Sequence, residues 1–221
     1  MIDVREYADT LGRNHYRKWL MKLDISVTAR VLNSVLRLAE GNFSSVKPEG
    51  EGASARFRAR YRIYFGQDGK EIVILLAGGT KHRQKVISSW QNSSGTSTSD
   101  ARRRSDMPQP LTRDFRETIR EQLQDRKFRQ AFLGEAIRDM VEGDMATAKA
   151  VLREYINGTA GFIAAGKALN RSPKSLMRML SATGNPQARN LFDLIAYLQK
   201  ADGIAFEVRV VKAKPIKRKA A

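Results

Sequence analysis

The sequence predicts an α+β first half, two helices plus an antiparallel sheet, followed by an all-α second half. Three observations predict it. Apolar residues recur at helical spacing as far as Glu40, and after residue 56 the period falls to two. Residues 88–106 are rich in Ser and Thr with almost no apolar pattern, the composition of a flexible linker. From residue 114 the apolar stripes are helical again and are punctuated by capping residues.

In the first half, Tyr16, Trp19, Leu20 and Leu23 predict one helix. Val27, Val31, Val35 and Leu38 are the buried stripe of a second, over about 25–40, which Gly41 and Asn42 end. Phe57, Ala59, Tyr61, Ile63 and Phe65 then alternate with Arg56, Arg58, Arg60, Arg62 and Tyr64, giving a strand with one apolar face and four arginines on the other. Gly66-Gln67-Asp68-Gly69 reads as a hairpin turn and 71–77 as a buried strand stopped by Gly78-Gly79. Residues 80–85 begin a basic helix.

In the second half, Asp114 and Glu117 form a capping box ahead of Phe115, Ile119 and Leu123. Phe128, Phe132, Ala136 and Met140 are the next stripe, ended by Gly143. Asp144 caps a helix holding Ala148, Val151, Leu152 and Tyr155. A short helix over 161–169 leads into the turn Asn170-Arg171, and Ser172-Pro173 opens the helix of Leu176 and Met179. Asn185-Pro186 repeats that device before Leu191, Leu194, Ile195 and Leu198. Residues 204–211 alternate weakly, as a strand would. The domains expected are 1–90, a linker over 91–106, a helical domain over 107–211 and a basic disordered tail over 212–221.

Composition narrows the chemistry. The 221 residues contain no cysteine, which excludes disulfides, a thiol nucleophile and thiolate zinc sites. With only His15 and His82, a histidine-rich metal site is excluded as well; no metal and no cofactor are expected. No apolar run reaches the roughly 20 residues of a membrane helix, and the first residues lack a signal-peptide pattern. A soluble, cytoplasmic protein without a membrane partner is the expectation. The net charge is +17, of which +8 falls in residues 1–106 and +9 in 107–221. A chain this basic is drawn to polyanions, with nucleic acid the default partner.

Two constellations follow. Two short helices joined by a tight turn, the second opening with Ser-Pro-Lys-Ser, suit a helix-turn-helix whose second helix enters the major groove. Ser172 and Ser175 would then contact phosphates or base edges, Arg178 would reach guanine, and Arg171 and Lys174 would hold phosphates. Leu176, Met179 and Leu180 would face the core. A plain helical bundle with a basic face fits the same spacing. The second constellation is the arginine strand face with Lys81, His82 and Arg83 beyond the next strand. RNA cleaved through its own 2′-OH needs a proton acceptor, a proton donor and cations on the phosphorane, but no metal. His82 titrates nearest neutrality and is the natural shuttle. Simple nucleic-acid binding without chemistry fits these residues too. His15, Trp19 and Trp90 read as structural, and Gly78-Gly79 lacks the Gly-Lys-Ser/Thr of a phosphate loop.

The first 90 residues carry Met-Ile-Asp-Val-Arg-Glu-Tyr, Lys-Trp-Leu, Leu-Ala-Glu-Gly-Asn-Phe, Val-Lys-Pro-Glu-Gly-Glu-Gly, Tyr-Arg-Ile-Tyr-Phe-Gly and Gly-Gly-Thr-Lys-His-Arg-Gln. In combination these resemble the HigB-like toxins of the RelE/ParE superfamily. Residues 107–208 carry Pro-Leu-Thr-Arg-Asp-Phe, Glu-Gly-Asp-Met, Leu-Arg-Glu-Tyr-Ile-Asn-Gly-Thr, Lys-Ser-Leu-Met-Arg-Met-Leu and Gly-Asn-Pro-Gln-Ala-Arg-Asn-Leu, and are similar to HigA-like antitoxins. The resemblance implies a toxin joined to its antitoxin, with Met107 as the relic of the antitoxin start. It implies a ribosome-dependent mRNA endonuclease in the first half and an operator-binding, toxin-capping repressor in the second. Arg58, Arg62, Lys81 and Arg83 match basic positions of the toxin motifs, and His82 stands where the family often has Lys. The Gly-Pro-Gly type loop of such toxins is missing from residues 56–62, so the hairpin there is tightened or lost. The partners implied are operator DNA, mRNA on the ribosome, the intramolecular contact between the halves, and a second copy in a homodimer. The other reading is a DNA-binding repressor attached to a catalytically dead toxin relic.

Overall fold

The computed structural model describes residues 2–9, 11–44, 46–49, 52–57, 61–68, 72–79, 111–207 and 209. The class is α+β: the described residues form eight helices and one six-stranded sheet. β1 (Asp3–Ala8) is followed by α1 (His15–Leu20) and α2 (Ile25–Ala39). Then come β2 (Val46–Glu49), β3 (Gly52–Phe57), β4 (Tyr61–Asp68) and β5 (Ile72–Gly79). After Leu111 the chain forms β6 (Leu111–Asp114), α3 (Phe115–Gln122), α4 (Arg126–Val141), α5 (Met145–Gly158), α6 (Gly161–Ala168), α7 (Pro173–Met179) and α8 (Ala188–Asp202). The strand order is β2-β3-β4-β5-β1-β6.

α1 starts where Asn14 accepts the Arg17 N–H at 2.7 Å. α2 buries the expected Val31, Val35 and Leu38. It ends at Gly41 with φ +85°, where the Asn42 N–H reaches the Arg37 carbonyl. In the second half, Asp114, Asp125 and Asp144 each cap a helix through the carboxylate. Phe128, Phe132 and Ala136 are buried as their spacing predicts.

Several expectations are corrected. The alternating segment is not one strand with a four-arginine face. β3 ends at Phe57 and β4 begins at Tyr61, with Arg56 opposite Arg62 and Phe57 opposite Tyr61. The alternation in sequence runs on across the boundary between the two strands, so period alone does not separate one strand from two. Gly66, Gln67 and Asp68 do not form the expected turn but belong to β4, where they pair with Ile74, Val73 and Ile72. Gly78 and Gly79 extend β5 instead of stopping it.

The sheet is mixed, not antiparallel: β1, which the sequence pattern does not reveal, pairs parallel with β5. Its buried face carries Val4 and Glu6, both 0% exposed, and the carboxylate disguises the alternation. The second half is not all-α. β6 pairs antiparallel with β1, Ala8 opposite Leu111 and Arg5 opposite Asp114. Four residues are too few for a periodic signal, and this strand needs the open edge of β1 to exist. Residues 204–207 form no strand. Gly203 closes α8 at φ +60°, the Ile204 N–H returns to Gln199 O, and Ile204 and Phe206 pack onto the core. The basic helix over 80–85, the linker over 91–106, Trp90 and the tail over 212–221 lie outside the described residues.

The two halves share one seam. α4 packs on α2, and Arg30 Nε meets Glu135 Oε1 at 3.1 Å. Arg37 reaches Asp139 at 2.6 Å and Asp144 at 2.9 Å, while Arg17 pairs with Glu121. In each of these pairs the first half supplies the cation and the second half the carboxylate. Asp139 is 1% exposed. Burial pushes its carboxyl up to about 6, and Asp144 adds to this; Asn33 and Arg37 pull the other way. Glu6, buried beside Asn14 and Thr118, is likewise pushed up by burial. No described helix is long and apolar enough to cross a membrane.

Candidate nucleic-acid interface

α6 and α7 are joined by a turn built for close approach. Asn170 adopts φ +52°, and the Arg171 N–H returns to the Gly166 carbonyl at 2.8 Å. A Cβ at Gly166 would stand 2.6 Å from the Arg171 carbonyl oxygen, so only glycine admits this packing. Ser172 is the N-cap of α7, its hydroxyl accepting the Ser175 N–H at 3.1 Å, and Pro173 follows at the first helical position. Leu176 and Leu180 are buried and Met179 packs against the same core. This is the orientation the spacing predicts.

A hollow of ≈ 470 Å³ lies between one flank of α7, where Leu176 and Met179 also line it, and the start of α8. Arg171, Ser175, Arg178, Thr183, Asn185, Gln187 and Asn190 line it. Ser172, Lys174 and Arg178 are exposed, and Arg171 and Ser175 are half-buried. Arg171 donates to Asn190 Oδ1 at 2.5 Å, which fixes its guanidinium against α8. The Ser172 oxygen is committed to the cap. The five DNA-contact candidates therefore lie on one continuous stretch, with Lys174 and Arg178 presented to solvent.

Sequence reasoning missed the support behind this surface. Lys149 on α5 is 5% exposed and donates to the carbonyls of Ser181, Ala182 and Gly184 at 2.9, 3.1 and 2.6 Å. Arg153, one turn on, donates to the Leu180 carbonyl. The Lys149-Arg153 pair at i, i+4 beside the apolar stripe was the available signal. Asn185 is not a cap: α8 begins at Ala188 after Gln187, and Gln187 makes no side-chain cap bond. A residue preceding proline is steered to extended backbone, so Asn185-Pro186 stiffens the loop.

In the first half, Arg62 is half-buried on β4, opposite Gly79 at the end of β5 and Arg56 at the end of β3. Arg58, Lys81, His82 and Arg83 lie outside the described residues. His15 sits 3.6 Å from Asp9 at the start of α1, and Trp19 packs against Tyr16 at 6.0 Å between ring centroids. Among the described residues, no group of three or more His, Cys, Asp or Glu is placed to hold a metal ion. Comparison with protein-family models, curated proteins and solved structures matches none of them to this chain.

Proposed function

We propose that the chain is a self-neutralised toxin–antitoxin fusion. Its first half is a ribosome-dependent, metal-independent mRNA endonuclease held masked. Its second half caps the first and binds operator DNA as an autorepressor, in a homodimer acting in the cytoplasm. The observation that carries this reading is the seam. A second half of net charge +9 turns Glu121, Glu135, Asp139 and Asp144 toward Arg17, Arg30 and Arg37, and adds β6 to the edge of β1. Two basic units meet through segregated opposite charges, the complementarity found across recognition interfaces. A tether of this length holds the cap at a millimolar-range effective concentration. The DNA role is supported by the exposed Lys174 and Arg178 on a helix whose other face is core. In the nuclease role Arg58, Arg62, Lys81 and Arg83 stabilise the phosphorane and His82 moves the proton.

Expression of residues 1–90, alone and with 107–221 supplied as a separate chain, tests the nuclease and cap together. Growth arrest with mRNA cleavage in the first case, reversed in the second, is expected. Harmless expression of a folded fragment sinks the nuclease and leaves a DNA-binding repressor with a dead relic. In the intact chain, Arg178→Ala costs about 1–3 kcal/mol and relaxes preference at one base position. Lys174→Ala weakens all sequences alike and flattens the salt dependence by about one counterion. Equal, sequence-blind losses in both variants would remove base reading from α7.

A further inference from the structure

A lysine ammonium withdrawn from water inside a protein this rich in exposed cations calls for a reason. Lys149 directs all three of its donors at one loop, the segment between α7 and α8. These carbonyls follow the last turn of α7, where helix carbonyls have no partner within the helix. With Arg153 on Leu180, two cations of α5 close the C-terminal end of α7. The loop also touches α7 itself. A Cβ at Gly184 would stand 2.4 Å from the carbonyl oxygens of both Arg178 and Met179. The loop that Lys149 holds therefore rests on the backbone of Arg178, and its Thr183, Asn185 and Gln187 form one wall of the hollow.

We propose that Lys149 is the positioning residue of the DNA-reading surface: by holding the α7–α8 loop against α7 it sets where Arg178 and the wall of the hollow stand against the duplex. The inference rests on the DNA-binding reading above. Lys149 takes no part in phosphate contact, since its ammonium is spent on the loop. Burial lowers its pKa, Arg153 acts in the same direction, and Glu40 at the end of α2 opposes them. α5, which carries the clamp, packs directly on α2 of the first half, so the reading surface and the seam share one helix.

The test uses the full chain, a duplex that the chain enriches from a random DNA pool, and a scrambled duplex of equal length. Lys149→Met keeps the apolar stem and removes the three donors. Its affinity for the enriched duplex is expected to fall by about tenfold or more. Its affinity for the scrambled duplex and its salt slope stay as in the parent, because counterion release counts only phosphate contacts. Gly184→Ala, which displaces the same loop and spares the ammonium, gives the same selective loss. Amide exchange over residues 181–185 quickens in Lys149→Met, while that of β1 and α4 is unchanged. Equal loss on both duplexes with a shallower salt slope would make Lys149 a phosphate contact and overturn the proposal. Unchanged exchange at the loop would overturn it whatever the DNA result. A parent chain that enriches no sequence would overturn the DNA reading itself, and the exchange measurement separates that outcome from a failed clamp.

Discussion

Gly166 and Asp139 show how much a single position decides. At Gly166 the obstacle to a side chain is backbone, the Arg171 carbonyl oxygen 2.6 Å from a built Cβ and the Pro173 nitrogen at 3.3 Å. Neither can swing aside as a flexible side chain would. Gly166→Ala is expected to cost about 1–3 kcal/mol by overpacking, read as a lowered Tm; under the proposed DNA-binding function it also weakens binding as α7 shifts. An unchanged Tm would show that the turn yields freely. Asp139 makes a pH-dependent contribution whose sign is fixed by its environment. Its folded pKa, about 6, lies above the ordinary carboxyl value of 3.8. The folded chain therefore holds the proton more tightly, and this contribution is complete below the unfolded pKa and lost as pH rises through 6. Two units correspond to about 3 kcal/mol at most. Calorimetry at pH 5 and pH 7.5 is expected to show a fall in stability across that window that is smaller in Asp139→Asn. A variant with the parent's slope would assign the effect to Glu6 or Glu154, whose carboxyls burial also pushes up.

At the level of helices and strands, the α2–α4 contact is the place to test the segregated charges. Arg30→Glu sets two carboxylates against each other at Glu135, which is 8% exposed at its side chain, and Glu135→Arg opposes two guanidinium groups. Each single change is expected to destabilise, and the double exchange to recover part of the loss, with a coupling of about 0.5–3 kcal/mol in denaturant titrations. Strictly additive losses would mean the pair contributes nothing. The helices were legible in the sequence because their signals are local: Asp114 and Asp144 announce starts, and Val31, Val35 and Leu38 mark a buried stripe. The strands were less legible because their cause is not local. β1 hides a buried Glu6 among its inward residues, and β6 exists only because β1 offers an edge more than 100 residues away in sequence. The face of α7 was legible from Leu176 and Leu180, and its cap from Ser172. Lys149 was not, since a lysine next to an apolar stripe reads as a snorkelling surface residue until the loop it holds is seen.

For the molecule as a whole, the seam should outlast the covalent link. With a protease site inserted within 91–106 and cut, the two fragments are expected to co-elute at 0.1 M salt. Their Kd should rise by about one order of magnitude at 1 M, where exposed charges are screened and the buried apolar contact remains. Separation at low salt would leave the tether as the sole bond between the halves. The pairing of β6 with β1 also has a consequence in time. A chain emerges N-terminal end first, so the edge of β1 is complete while the strand that covers it is still to be made. From residue 79 to residue 114, synthesis at 5–20 residues per second takes roughly 2–7 s. After that interval capture is a first-order event within one molecule, with a rate independent of how much protein the cell makes. Two separate polypeptides would meet at a rate that falls with dilution. In the proposed fusion, toxin and cap keep a one-to-one ratio at every expression level, and the unguarded interval is set by the distance along the chain.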